Sequence, residues 1–272
     1  MMNTYKVKEN TNVLNYLMIL GYNKTKAKAL LKYRQVLVNG NPAVFNTAVA
    51  MDDTLTIIKN KESSLDIIYE DKDILVINKP SGLLSERTAH VHDKTAFMYA
   101  KDYLSKKHET VYLVHRLDKE TSGVLMFIKN KKLYEELTSH WNDYVTTRSY
   151  IAIVEGLLKE EGKIDKSLLE NKGQTVYISK EGKKAITLYK SLSYNKSYSY
   201  IHLQLKTGRK NQIRVHMSSI GHPVAGDKKY GAKSNPIKRL ALHADRFGFV
   251  HPFTHQKMEF DAPVPESFKK FK

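Results

Sequence analysis

Cysteine is absent from the 272 residues of this chain. Disulfides, thiol nucleophiles and thiolate metal sites are excluded together, and the compartment this composition suits is a reducing cytoplasm. Acidic residues are scarce beside basic ones, with 28 Asp and Glu against 45 Lys and Arg. No apolar run reaches the roughly eighteen residues of a membrane-spanning helix. The opening MMNTYKVKENTNVLNYL has charges spread through it, and no signal peptide is read there. The phosphate-binding frame G-x-x-x-x-G-K-[ST] is missing, and so is His-Glu-x-x-His; His115, His216, His222, His243, His251 and His255 are scattered. Nucleotide hydrolysis and zinc chemistry therefore have no support in the pattern.

What is present is a globular composition with a strong positive charge. A hydrophobic share of 41% is enough for a packed core, and the length suits one large domain plus a small one. The net charge of +17 favours a polyanionic partner, most simply nucleic acid. Residues 1–60 carry eight Lys and Arg against three Asp and Glu, so both this part and the remainder are basic. A charge spread in this way fits an extended footprint better than a single basic tail.

Residues 1–60 read as a module of their own. Val13, Leu14, Leu17 and Leu20 make a helical face that ends at Gly21. Thr25 precedes a second helical run, KAKALLKY, with apolar Ala27, Leu30 and Leu31 and a surround of Lys24, Lys26, Lys28 and Lys32. The Asn39-Gly40 pair in VLVNGNP predicts a hairpin turn, and LTIIK a closing strand. The polar KNKESS run supplies a linker at residues 61–65, and residues 66–272 form the second domain. That domain alternates strand-like runs such as GVLMFIKN, TRSYIAIVEG, KAITLYKSL and YSYIHLQLKTG with helices near 95–107, 131–141 and 211–220, which makes the class α+β.

The most informative stretch is VYLVHRLDKETSGVLMF, residues 111–127. It sets Asp118 in a short polar loop between two apolar, β-branched segments, where a rigid scaffold holds an accessible carboxylate. H-R-L-D-x-x-T-S-G resembles the signature of the RluA-type pseudouridine synthases, in which the aspartate is catalytic. Further segments match in the same order: N-K-P-S-G-L at 78–83, RSYIAIVEG at 148–156, and LKTGRKNQIRVHMSSIGHPVAGDKKYG at 205–231. Residues 1–60 resemble the S-four-like RNA-binding module, with Arg34 and Val36-Leu37-Val38-Asn39-Gly40 on its core pattern; its usual Ser-Arg is Lys24-Thr25-Lys26 here. The departures elsewhere are Leu84-Ser85-Glu86 in place of a common Val-His-Pro, and Lys210-Asn211 in place of Thr-His.

The resemblance implies a mixed, mainly antiparallel sheet with the active-site cleft across its middle. It also implies isomerisation of uridine in RNA: uracil leaves C1′, turns and rejoins through C5, with no redox cofactor, nucleotide or metal. Asp118 is the catalytic carboxylate; attack on the sugar, addition to the base and removal of a sugar proton all stay open as its role. A partly desolvated aspartate needs a cation to stay ionised, and Arg116 and Arg214 are the two choices. Arg214 is the one that the resemblance pairs with Asp118. Tyr150 matches the active-site tyrosine, suited to stacking on a flipped uracil and to relaying the C5 proton. Arg148, Arg209 and Lys210 are read as further RNA contacts beside Lys24, Lys26, Lys28 and Arg34, Asn211 as a helix cap, and His115 as orienting the loop.

The reading is thus a base-flipping synthase acting on structured RNA, with large-subunit ribosomal RNA favoured over transfer RNA, and with a cytoplasmic monomer as the default. The competing readings are a non-catalytic RNA-binding ribosome-assembly factor and a carboxylate glycosidase. The latter would need a second acid in the site, for which Glu120 is nearest in sequence.

Overall fold

The computed structural model describes residues 2–32, 35–58, 65–87 and 94–272. The chain divides into two compact units, Met1–Ser64 and Leu65–Lys272. Residues 61–64 of the expected linker, and Arg34, lie outside the described residues.

In the first unit, helices Val13–Ile19 and Lys24–Lys32 precede the hairpin of Val36–Val38 and Asn41–Pro42. Asn39 and Gly40 turn that hairpin with positive φ at both positions, the geometry that matches strand twist. Thr54–Ile58 pairs with Val36–Val38, and on its other side with Met2–Lys6. The terminal strand was not foreseen: Asn3, Thr4 and Lys6 dilute its pattern, and its partner lies some fifty residues away. The second helix is capped by Asn23, whose side chain accepts from the Lys26 amide at 2.9 Å, rather than by Thr25. Val13, Leu17, Ala27, Leu31, Val36, Leu55 and Ile57 form the buried core. Lys24, Lys26 and Lys28 stay exposed.

The second unit is built on a ten-stranded sheet. Its order runs Glu161–Asp165, Ile186–Tyr194, Tyr198–Leu205, Val145–Glu155, Leu242–Val250, Ser122–Ile128, Ile74–Lys79, Ile67–Glu70; Lys257–Asp261 and Tyr112–Leu113 pair off this path. All pairs are antiparallel except Ser122–Ile128 with Leu242–Val250, which meet in parallel at Ser122–His243 and Gly123–Ala244. Every residue of Ser122–Ile128 is buried, as expected of a near-continuous apolar run in mid-sheet. Helix Gln212–Ser219 packs Ile213 and Met217 into the core around Ile153, Ile201 and Leu203. The fold class is the expected α+β, with a mixed and mainly antiparallel sheet.

Gly123 marks the close approach that makes the centre of the sheet possible. Its φ is +116°, and a Cβ there would lie 2.0 Å from the Ala244 carbonyl oxygen. Beside it, Arg239 Nη2 donates to Ser122 Oγ at 2.7 Å, and Ser122 Oγ lies 2.8 Å from His243 Nδ1. This buried relay pins the strand that leaves the Asp118 loop.

Candidate active site

The Asp118 loop is held from four directions. The Thr121 amide donates to the Asp118 carbonyl at 3.1 Å, closing a turn. Ser85 Oγ accepts from the Leu117 amide at 3.0 Å and donates to the Leu117 carbonyl at 2.8 Å. His115 Nε2 accepts the Met126 amide at 3.0 Å, and burial pushes the ring down to about 3, so it is a neutral acceptor, as its expected orienting role requires. Lys79, fully buried, donates to the carbonyls of Pro80, Leu83 and Lys119 at 3.0, 2.7 and 3.2 Å. A carboxylate on such a loop is pre-organised, which is worth more to catalysis than one placed on binding.

Arg214 reaches Asp118 from the helix Gln212–Ser219, with Nη1 at 3.3 Å from Oδ2. Its other face is held more tightly: Nε and Nη2 fork onto Asp227 at 2.6 and 2.8 Å, and Nη1 also donates to Asn211 Oδ1 at 2.9 Å. The Asp227 side chain is only 1% exposed, so this is a bidentate pair with little solvent to compete. Tyr230 completes the mount. Its ring lies 5.0 Å from the guanidinium, and its hydroxyl accepts from Asn211 Nδ2 at 3.0 Å. Asn211 stands at the helix start with φ +53° and makes no side-chain cap bond. The expected capping role is therefore corrected: its amide is already engaged by Arg214 and Tyr230.

Arg116 does not serve as the partner of Asp118. The strand Tyr112–Leu113 ends before it, so no pleat carries its side chain toward the carboxylate; it is largely exposed and pairs with Glu86 at 2.5 Å. It still lines the cleft. Tyr150 and Arg148 lie on Val145–Glu155 and face the cleft. Burial pushes the Tyr150 phenol up to about 12, with Arg148 opposing, so it is protonated at neutral pH. Arg148 donates to the Lys206 carbonyl at 2.9 Å, Arg209 to the Lys184 carbonyl at 3.1 Å, and Lys210 pairs with Glu170 at 2.5 Å.

The resulting cleft measures about 680 Å³ and is lined by Asp118, Arg214, Tyr150, Arg148, Arg209, Lys210 and Arg116. Its lining carboxylates among the described residues are Asp118 and Glu86, and the latter is taken by Arg116. Glu120, the second acid expected for a glycosidase reading, is not part of the lining. No cluster of His, Asp or Glu that could hold a metal occurs among the described residues, and no helix there is long and apolar enough to cross a membrane.

Lys79, Ser85, Asp227 and Tyr230 were not singled out from sequence. Lys79 was detectable as a charge at the end of the unbroken apolar ILVIN run. Asp227 and Tyr230 lay within the long matching segment, but only the fold shows that they face Arg214.

A loop-held carboxylate beside an arginine, with a tyrosine and further cations lining the same cleft, is chemistry suited to a nucleic-acid base or its sugar. Comparison with known proteins makes this specific. The family model described as RNA pseudouridylate synthase matches residues 73–219. The uncharacterized RNA pseudouridine synthase YlyB of Bacillus subtilis is 35% identical over 263 residues, covering 90% of this chain and 87% of its own. Ribosomal large subunit pseudouridine synthase D of Zymomonas mobilis is 34% identical over 75% of this chain and 71% of its own length. Among solved structures, human RNA pseudouridylate synthase domain containing 1 is similar with a TM-score of 0.62 and 27% identity, over 76% of this chain and 86% of that one. The chain belongs to the RluA family of RNA pseudouridine synthases, and its activity is the isomerisation of uridine in RNA.

Proposed function

We propose that this enzyme modifies uridine in large-subunit ribosomal RNA, with Asp118 as the catalytic carboxylate. The observation that carries the catalytic part is the Asp118–Arg214–Asp227 chain of ion pairs on a loop tied down at Ser85, His115 and Lys79. In this reading the target nucleotide is flipped into the cleft, since its sugar and C5 are out of reach while it is stacked. Arg214, itself held by Asp227, stays against Asp118 as charge shifts between base and sugar. Tyr150 stacks on the uracil and retains it while the N1–C1′ bond is broken and the C5–C1′ bond formed. In this reading its hydroxyl relays the proton that leaves C5, passing on its own as it accepts that one. Arg116, turned outward with Glu86, contacts the RNA at the rim rather than the reacting atoms.

The ribosomal assignment is supported by the Zymomonas relative, a ribosomal large subunit pseudouridine synthase by name, and by an N-terminal unit whose two helices, hairpin and exposed lysines resemble an S-four-like RNA-binding module. Lys24, Lys26 and Lys28 hold phosphates in this reading. The test is to incubate the protein and Asp118→Ala separately with unmodified ribosomal and transfer RNA transcripts, and to map pseudouridine by carbodiimide labelling and primer extension. A stop in ribosomal RNA made by the unaltered protein alone is the expected result. A stop confined to transfer RNA reassigns the substrate, and no stop in either, with salt-sensitive binding intact, favours an assembly factor.

A further inference from the structure

The cleft extends past the residues that the isomerisation uses, and its far wall is aromatic. Trp141, the single tryptophan of the chain, opens the short helix Trp141–Tyr144 and lines the cleft with His115, Phe247 and Arg246. The His115 and Phe247 rings stack at 4.7 Å and 5° between planes. Trp141 leans on both, with ring centroids at 5.9 and 6.0 Å and tilts of 42° and 38°. The indole is thus braced on one side by rings and only half-buried. The part of the ring not covered by His115 and Phe247 is open to the cleft.

Arg148 is registered opposite Phe247 of this wall, and it lies two residues before Tyr150 on Val145–Glu155, with both side chains lining the cleft. It is half-buried, and its neighbours are the like charge of Arg209 and the phenol of Tyr150, with no carboxylate paired to it among the described residues. Gly208 leaves room for it: a Cβ at that position would lie 2.9 Å from Arg148 Nη1. A desolvated cation without a counter-ion, beside another cation, is an arrangement completed by an anion. The order along the cleft is therefore an aromatic platform, an uncompensated guanidinium, and the tyrosine that takes the uracil.

We propose that Trp141 is the platform of a second base subsite, which stacks a nucleobase adjacent to the target uridine while Arg148 takes the phosphate linking the two. Flipping a uridine strips its neighbour of a stacking partner, and an aromatic face one nucleotide away restores it. Such a subsite is tolerant of base identity, because every base presents a π-face. It rests on the reading of the cleft as the site of a flipped uridine in ribosomal RNA.

Because Trp141 is the only tryptophan, its emission reports this contact alone. The experiment titrates full-length Asp118→Asn protein with the ribosomal RNA transcript, following tryptophan emission together with binding by anisotropy of labelled RNA. The transcript is then re-made with an abasic ribose immediately 5′ or 3′ of the target. Emission is expected to be quenched on binding, and one of the two abasic RNAs should bind without quenching. Trp141→Ala should weaken RNA binding about tenfold, with kcat changed less than threefold and KM raised in step, whereas Trp141→Phe keeps most of the affinity. RNA that binds and is modified by the native enzyme without quenching, or a Trp141→Ala protein that binds as tightly as the native one, overturns the subsite alone. Native protein that neither binds nor modifies the transcript overturns the ribosomal reading and the subsite with it.

Discussion

Lys79 illustrates how one buried cation can hold a reactive loop. Its three donors reach carbonyls on both sides of the Asp118 loop, at Pro80 and Leu83 and at Lys119. Burial, helped by Arg239, pushes its ammonium down to about 7 against the pull of Asp118 and Glu120. Between about pH 7 and the ordinary 10.5, the folded protein has released a proton that the unfolded chain still binds. The contribution of Lys79 to stability therefore rises with pH across that window, and is least favourable below it. Thermal denaturation of the native protein and Lys79→Met should show the native protein gaining on the variant from pH 7 to 10. A gap that stays constant would contradict this protonation behaviour. Asp118 and Arg214 were readable because each sits in a motif of its own residues. Ser85, Asp227 and Lys79 were not, since their roles depend on partners brought together by the fold, 32, 13 and up to 40 residues away.

The elements that carry the site meet at the parallel contact between Ser122–Ile128 and Leu242–Val250. Gly123 permits it, and the Arg239–Ser122–His243 relay locks it. Gly123→Ala should cost about 4 kcal/mol, as backbone atoms must move for the new methyl group to fit. Gly221→Ala makes the comparison: its φ of +83° is also left-handed, but a Cβ there meets nothing within 4 Å, so about 1–2 kcal/mol of backbone strain is expected. Equal losses in chemical denaturation would show that the close approach is not what Gly123 provides. The central strands were legible from runs such as GVLMFI and YIAIV, whose β-branched and apolar residues suit a sheet buried on both faces. Their order was not, because pairing across the sheet joins segments more than a hundred residues apart, and a glycine within a strand signals only that something comes close.

At the scale of the whole molecule, charge is the dominant property. The surplus of seventeen positive charges is shared by both units, so RNA affinity should fall steeply with salt. Exposed Lys24, Lys26 and Lys28 belong to the helix Lys24–Lys32 of the first unit. Replacing all three by alanine in the full chain should lower the slope of log affinity against log salt by roughly 2 to 3, with turnover at saturating RNA unchanged. An unaltered slope would remove these lysines from the RNA interface.

The most direct measurement is release of tritium from RNA carrying 5-tritiated uridine, since C5 loses its hydrogen only if the base is reattached through that carbon. The native enzyme should release tritium, and Asp118→Asn should bind the same RNA with similar affinity and release none. Release by Asp118→Asn at a rate near that of the native enzyme would contradict the assignment of Asp118 as the catalytic carboxylate.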